Sequence, residues 1–138
     1  MVDTRKAKLV AYINRKDWWH VPPADPKAYE HRGKFLSPTF REAEFWGRPL
    51  DEPQRVTIHN PVVGDDAGVE TALFGKPIPH PEVGSAGILD WRWELDARMK
   101  KAALAKGYDA IVIFSSAGFA RYKQGKIPRS IELNVFGH

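Results

Sequence analysis

Apolar positions along the chain fall into short runs divided by glycine, proline and charge, and the period of those runs changes from one to the next. Leu9 to Ile13 is continuously apolar, which predicts a first strand covered on both faces. Gly33 to Ser37 predicts a short extended piece. Ser37-Pro38-Thr39 then reads as a helix start, with Thr39 as N-cap and Glu42 three residues on, the capping-box spacing. That helix is expected to run to about Trp46 and to stop at Gly47, with Pro49 soon after. Arg55 to Asn60 alternates, Val56 and Ile58 against Thr57 and His59, and closes on Asn60-Pro61, a strand-to-turn signal. Residues 75–87 carry Pro77, Pro79 and Pro81 with three glycines and predict a loop of polyproline character.

From Leu89 to Lys106 the period becomes helical: Trp91, Leu95, Met99, Ala102 and Ala103 share one stripe. Lys100, Lys101 and Lys106 gather at the end where the helix dipole favours them, and Gly107 is the natural stop. Ala110 to Phe114 predicts a buried strand, 115–130 a polar loop, and Ile131 to Phe136 a closing strand. In that strand Ile131, Leu133 and Val135 share one face, and Glu132, Asn134 and Phe136 the other. Several strands with one or two helices make an α+β domain, and 138 residues make a single one spanning 1–138.

Composition narrows the classes. With 43% hydrophobic and 12% aromatic residues the chain is globular rather than disordered. No run approaches the roughly 20 apolar residues of a membrane span, and the N-terminal apolar stretch is too short for a secretory signal. A cytoplasmic location is therefore the expectation. The absence of cysteine excludes disulfides, thiolate catalysis and cysteine-ligated zinc. The five histidines are dispersed, and none pairs at the i, i+4 spacing of a zinc protease, so no metal is expected. Phosphate-loop, dinucleotide-fingerprint and Gly-x-Ser-x-Gly patterns are missing. The net charge of +4 fits an acidic partner but equally a basic solvated surface.

Two segments carry candidate chemistry. The first is Gly33-Lys34-Phe35-Leu36-Ser37-Pro38-Thr39-Phe40-Arg41-Glu42-Ala43-Glu44-Phe45-Trp46-Gly47, followed by Arg55 to Pro61. The second is Gly107-Tyr108-Asp109 with Ala110 to Phe114, a polar loop, and Ser130-Ile131-Glu132-Leu133-Asn134-Val135-Phe136. In this order they resemble the ADP-ribosyltransferase superfamily, in the branch of diphtheria-type toxins and poly(ADP-ribose) polymerases. The resemblance covers roughly residues 15 to 136. It implies two small facing sheets with flanking helices and NAD, as co-substrate, in the cleft between them.

The same resemblance assigns residues. Phe35 and Trp46 would sandwich the nicotinamide ring, an electron-poor face between two π faces. Ser37 would meet the nicotinamide ribose, and Glu132 would be the catalytic glutamate. The first motif is represented by His20 or by Arg15; neither has the family's usual following glycine, and His20 is the preferred adenosine-side contact. Ser130 stands where enzymes that modify arginine carry a second acid, which argues against an arginine acceptor. The loop before the glutamate commonly recognises the target in this family, and here Arg121, Tyr122, Lys123 and Lys126 would do so, for an acidic nucleic acid or protein face. The expected function is therefore NAD-dependent mono-ADP-ribosyl transfer, without metal, to an acidic macromolecule. Two alternatives stand beside it: a basic nucleic-acid-binding module without catalysis, and a non-catalytic accessory domain on the same fold. On either, the aromatics are ordinary core and Glu132 a solvent-facing strand residue.

Overall fold

Helices cover both faces of one five-stranded sheet in the computed structural model, which describes residues 4–22, 32–44, 47–50, 52–82, 84 and 86–136. In chain order the elements are α1 (Thr4–Arg15), β1 (Trp19–His20), β2 (Lys34–Ser37), α2 (Phe40–Glu44), β3 (Pro61–Gly64), α3 (Asp66–Phe74), α4 (Ile88–Ala105), β4 (Ala110–Ile113), α5 (Ser116–Lys123) and β5 (Glu132–Val135). The strand order is β1-β2-β5-β4-β3. All neighbours are antiparallel except β3 and β4, which run parallel and are joined through α3 and α4, as a parallel pair requires. The α+β class holds. The described strands form one open sheet, however, and not the two facing sheets that the family resemblance implies.

Alternation in β5 sorts the core into two clusters. Leu133 and Val135, with Ile131 just before the strand, pack with Leu36, Ala110 and Val112 against Leu9 and Ile13 of α1 and Tyr122 of α5. On the other face Val62, Ile111 and Ile113 meet Val69 and Leu73 of α3 and Leu95, Met99 and Ala103 of α4. Each face is thus closed by its own helix pair.

Several elements differ from the sequence expectation, each for a local reason. Leu9 to Ile13 lies inside helix α1: of that apolar run only Leu9 and Ile13, four residues apart, are buried, so burial follows the helical period. Residues 55–60 form no strand. Ile58 is buried there because the Asn14 side chain substitutes for a strand neighbour, accepting from Ile58 N–H at 2.8 Å and donating to Ile58 C=O at 2.9 Å. The Asp109 carboxylate accepts from the amides of His59 (2.6 Å) and Asn60 (2.9 Å), so Asn60-Pro61 opens β3 rather than closing a strand. Two unanticipated helices have ordinary starts and stops: Asp65 caps α3 by accepting from Gly68 N–H, and Ser115 caps α5 by accepting from Gly118 N–H. The Thr39 cap is present as expected, accepting from Glu42 N–H at 3.1 Å.

Candidate functional site

Register brings the two candidate segments together. Phe35 on β2 lies directly opposite Asn134 on β5, and Glu132 is two residues further along β5 on the same face. These three side chains, with Ile111 and Ile113 of β4 and Arg92, Asp96 and Met99 of α4, line a small pocket. Its free volume, about 10 Å³, holds roughly one water molecule. The apolar face under α3 and α4 therefore turns polar where it passes from β4 to β5 and β2.

Arg92 organises the charges. Its Nε lies 3.2 Å from Asp96 Oδ1, one helical turn on, and its Nη2 lies 3.6 Å from Glu132 Oε1. Asp96 is buried, and desolvation pushes its carboxyl up to about 6 despite the attraction of Arg92 and Arg32. Desolvation likewise raises Glu132. Arg92 opposes that rise, while Asp66 and Asp96 add to it. The Glu132 side chain remains about one-third exposed (35%), so its carboxylate is within reach of a ligand from solvent.

Asn134 closes the inner end. Its Nδ2 donates to Arg32 C=O at 2.8 Å, and its buried Oδ1 has no hydrogen-bond partner. Gly33 makes this approach possible: it sits at φ 85°, and a Cβ there would come within 2.2 Å of that oxygen. Among the described residues no group of three or more histidine, aspartate or glutamate side chains is placed to hold a metal.

The other expected site residues are distributed unevenly. Ser37 alternates onto the Phe35 face at the end of β2, opposite Trp19, whose ring meets Phe40 edge-on at 5.2 Å. Trp46 lies outside the described residues. His20 pairs with Leu36, which places it on the opposite sheet face from Glu132. It is buried, and its Nδ1 donates to Phe35 C=O at 2.8 Å, so it braces the strand that carries Phe35. Arg15, the other candidate for the first motif, is exposed in the last turn of α1, 5.8 Å from the Tyr12 ring.

The recognition loop is corrected most. Residues 116–123 are helix, and Tyr122 is core: it is 6% exposed, stacks on Phe119 at 6.1 Å and lies 5.5 Å from Phe114. It cannot stack on a target without unpacking that face. Arg121, Lys123 and Lys126 are exposed, but they belong to the helix layer across the sheet from Glu132.

Sequence reasoning missed Arg92, Asp96 and Asn134. A signal for the first two existed: Arg92 and Asp96 are four apart and continue the stripe of Met99 and Ala103, which puts an ion pair on the buried side of a helix. Comparison with family models, with curated proteins and with solved structures finds no match for this chain.

Proposed function

We propose that this chain is an NAD-dependent ADP-ribosyltransferase with Glu132 as its catalytic glutamate. One observation carries the reading: Phe35 and Glu132, taken from two separate motifs far apart in sequence, line the same pocket on adjacent strands. In the reaction the bond between the nicotinamide nitrogen and the ribose C1′ breaks, and its electron pair neutralises the departing pyridinium. Positive charge then builds on C1′ and the ring oxygen. The acceptor adds to C1′ and gives up a proton.

Glu132 would hydrogen-bond the ribose 2′-hydroxyl and oppose the growing charge, a contact that strengthens toward the transition state. Arg92 opposes the protonation of Glu132 that burial, Asp66 and Asp96 favour. The pocket is too small for a dinucleotide, so NAD would lie along its mouth, with the ribose at the exposed edge of Glu132 and the nicotinamide toward Phe35. On this reading His20 acts through Phe35 and does not touch the adenosine.

The test is nicotinamide release from NAD by the wild type and by Glu132→Gln, which keeps the shape and removes the anion. Release should fall on the order of a hundredfold or more, about 2–4 kcal/mol of barrier. Equal release by both proteins, or none by the wild type, overturns the assignment and leaves a non-catalytic domain.

A further inference from the structure

The helix layer on the sheet face opposite Glu132 is built from the most basic segments of the chain. Residues 4–16 carry Arg5, Lys6, Lys8, Arg15 and Lys16, and residues 115–130 carry Arg121, Lys123, Lys126 and Arg129; neither segment has an acidic residue. These nine charges leave the rest of the chain with twelve basic against seventeen acidic residues, a net −5 within a protein of net +4. Folding joins the two segments. Arg5 Nη1 donates to Lys123 C=O at 3.2 Å and Lys8 Nζ to Gly125 C=O at 2.8 Å, so α1 crosses the C-terminal end of α5. Lys8, Arg15, Arg121, Lys123, Lys126 and Arg129 are all exposed.

We infer that the α1–α5 face is a binding surface for the phosphate backbone of a nucleic acid. Three classes of partner suit a basic face, and its other residues separate them. A lipid surface is held by large apolar side chains as well as by charge. A protein partner is anchored by aromatic or aliphatic side chains buried at the centre of the contact. Among the described residues the exposed large hydrophobics are Phe40, Leu50, Trp93 and Leu104, and none belongs to α1 or α5. What lies exposed between the charges is small or polar: Ala7 and Ala11 on α1, Ala117 and Ala120 on α5, and Gln124 just after it. Long cationic side chains standing over short ones let a phosphodiester backbone approach closely, and contacts to phosphate carry no sequence information. Binding should therefore be insensitive to sequence and sensitive to salt. The surface stands independently of the pocket, which lies on the other side of the sheet.

The experiment is fluorescence anisotropy with a labelled 20-base-pair DNA duplex of mixed sequence at 50 and 200 mM salt. Three proteins are compared: the wild type, the quadruple variant Lys8→Glu/Arg121→Glu/Lys123→Glu/Lys126→Glu, and a control of equal charge change on the other layer, Lys76→Glu/Arg98→Glu/Lys101→Glu/Lys106→Glu. The wild type should bind and weaken at least about a hundredfold across that salt range, as four or more released counterions require. The α1–α5 variant should lose at least a hundredfold, and the control should lose less than one-fifth as much. Equal losses in both variants reduce the effect to overall charge and overturn the assignment. So does a salt-insensitive wild type, or tighter binding to polyglutamate or to phosphatidylserine vesicles than to the duplex. The wild-type salt dependence needs no variant, and its absence overturns the assignment even if a variant misfolds.

Discussion

The two faces of this sheet share five strands and solve their burial in opposite ways. Against α1 and α5 the strands present apolar side chains apart from His20 and Lys34, the latter held at the edge by Gln54, and most of the charge of that layer is exposed to solvent. Against α3 and α4 the face is apolar beneath β3 and β4 and then admits Asp96, Asn134, Arg92 and Glu132. A buried carboxylate and an amide oxygen without a partner are costly, and they are not needed for packing, since the opposite face does without them. The contrast gathers the costly buried polar groups on the α4 side, where the proposed site lies, and leaves the α1 side to packing. It also separates two properties that the sequence places side by side: the basic segment ends at Ser130, and Glu132 begins the next strand, yet their side chains lie in different layers.

The largest effect that tests this contrast comes from Tyr122. If the α1–α5 layer is core, Tyr122→Ala should cost about 3 kcal/mol of stability, since it removes a ring packed on Phe114 and Phe119. Urea denaturation measures it. A change below about 0.5 kcal/mol would return Tyr122 to the surface, where a recognition role would again be open, and would erase the difference between the faces.

Asp96 is expected to give the next largest effect, and of opposite sign. Its carboxyl is raised from 3.8 to about 6, so the folded state holds the proton more tightly than the unfolded chain. The stabilisation from that proton is full below about pH 4 and is lost as pH rises through about 6, a difference of about 2–3 kcal/mol. Asparagine imitates the protonated acid at every pH. Asp96→Asn should therefore match the wild type at pH 4 and exceed its stability at pH 8 by about 2 kcal/mol. A variant that is less stable at pH 8 would mean that the Arg92 pair outweighs the burial of the charge.

Much of the α4 side was legible because periodicity reports burial. The long helix, the β4 strand and the alternation that splits Ile131/Leu133/Val135 from Glu132/Asn134/Phe136 all follow from apolar spacing. So does the sharing of one face by Phe35 and Glu132 once β2 and β5 pair. The α1 side was less legible for the same physical reason. Leu9-Val10-Ala11-Tyr12-Ile13 is apolar at every position, so it carries no period, and only the tertiary contacts of Leu9 and Ile13 make it a helix. Helix α5 contains Gly118 and exposed basic residues, so its one buried ring, Tyr122, gives no stripe to read. His20 was misplaced because a two-residue strand has no alternation of its own; its face is set by pairing with Leu36, which no local pattern encodes.

Arg92 should give the smallest effect and the sharpest one, because it asks whether the charges on the α4 side act through contact or through the general field of the protein. Arg92 is the group that opposes the upward shift of Glu132, while Asp66 and Asp96 reinforce it. Replacing it by methionine keeps much of the stem and removes the cation. The Glu132 carboxyl should then titrate higher still, since the one charge that opposes its rise is gone. Side-chain carbon NMR of the folded protein reads this directly, with no substrate present. Arg92→Lys should recover part of the shift, since a point charge remains without the guanidinium fork. Lys101→Glu, an exposed charge reversal on the same helix, should move Glu132 far less than the loss of Arg92 does, because solvent screens an exposed charge. If the exposed reversal moves Glu132 as far as the loss of Arg92 does, the ion pair at 3.6 Å is incidental, and the α4 face owes its charge state to the protein as a whole.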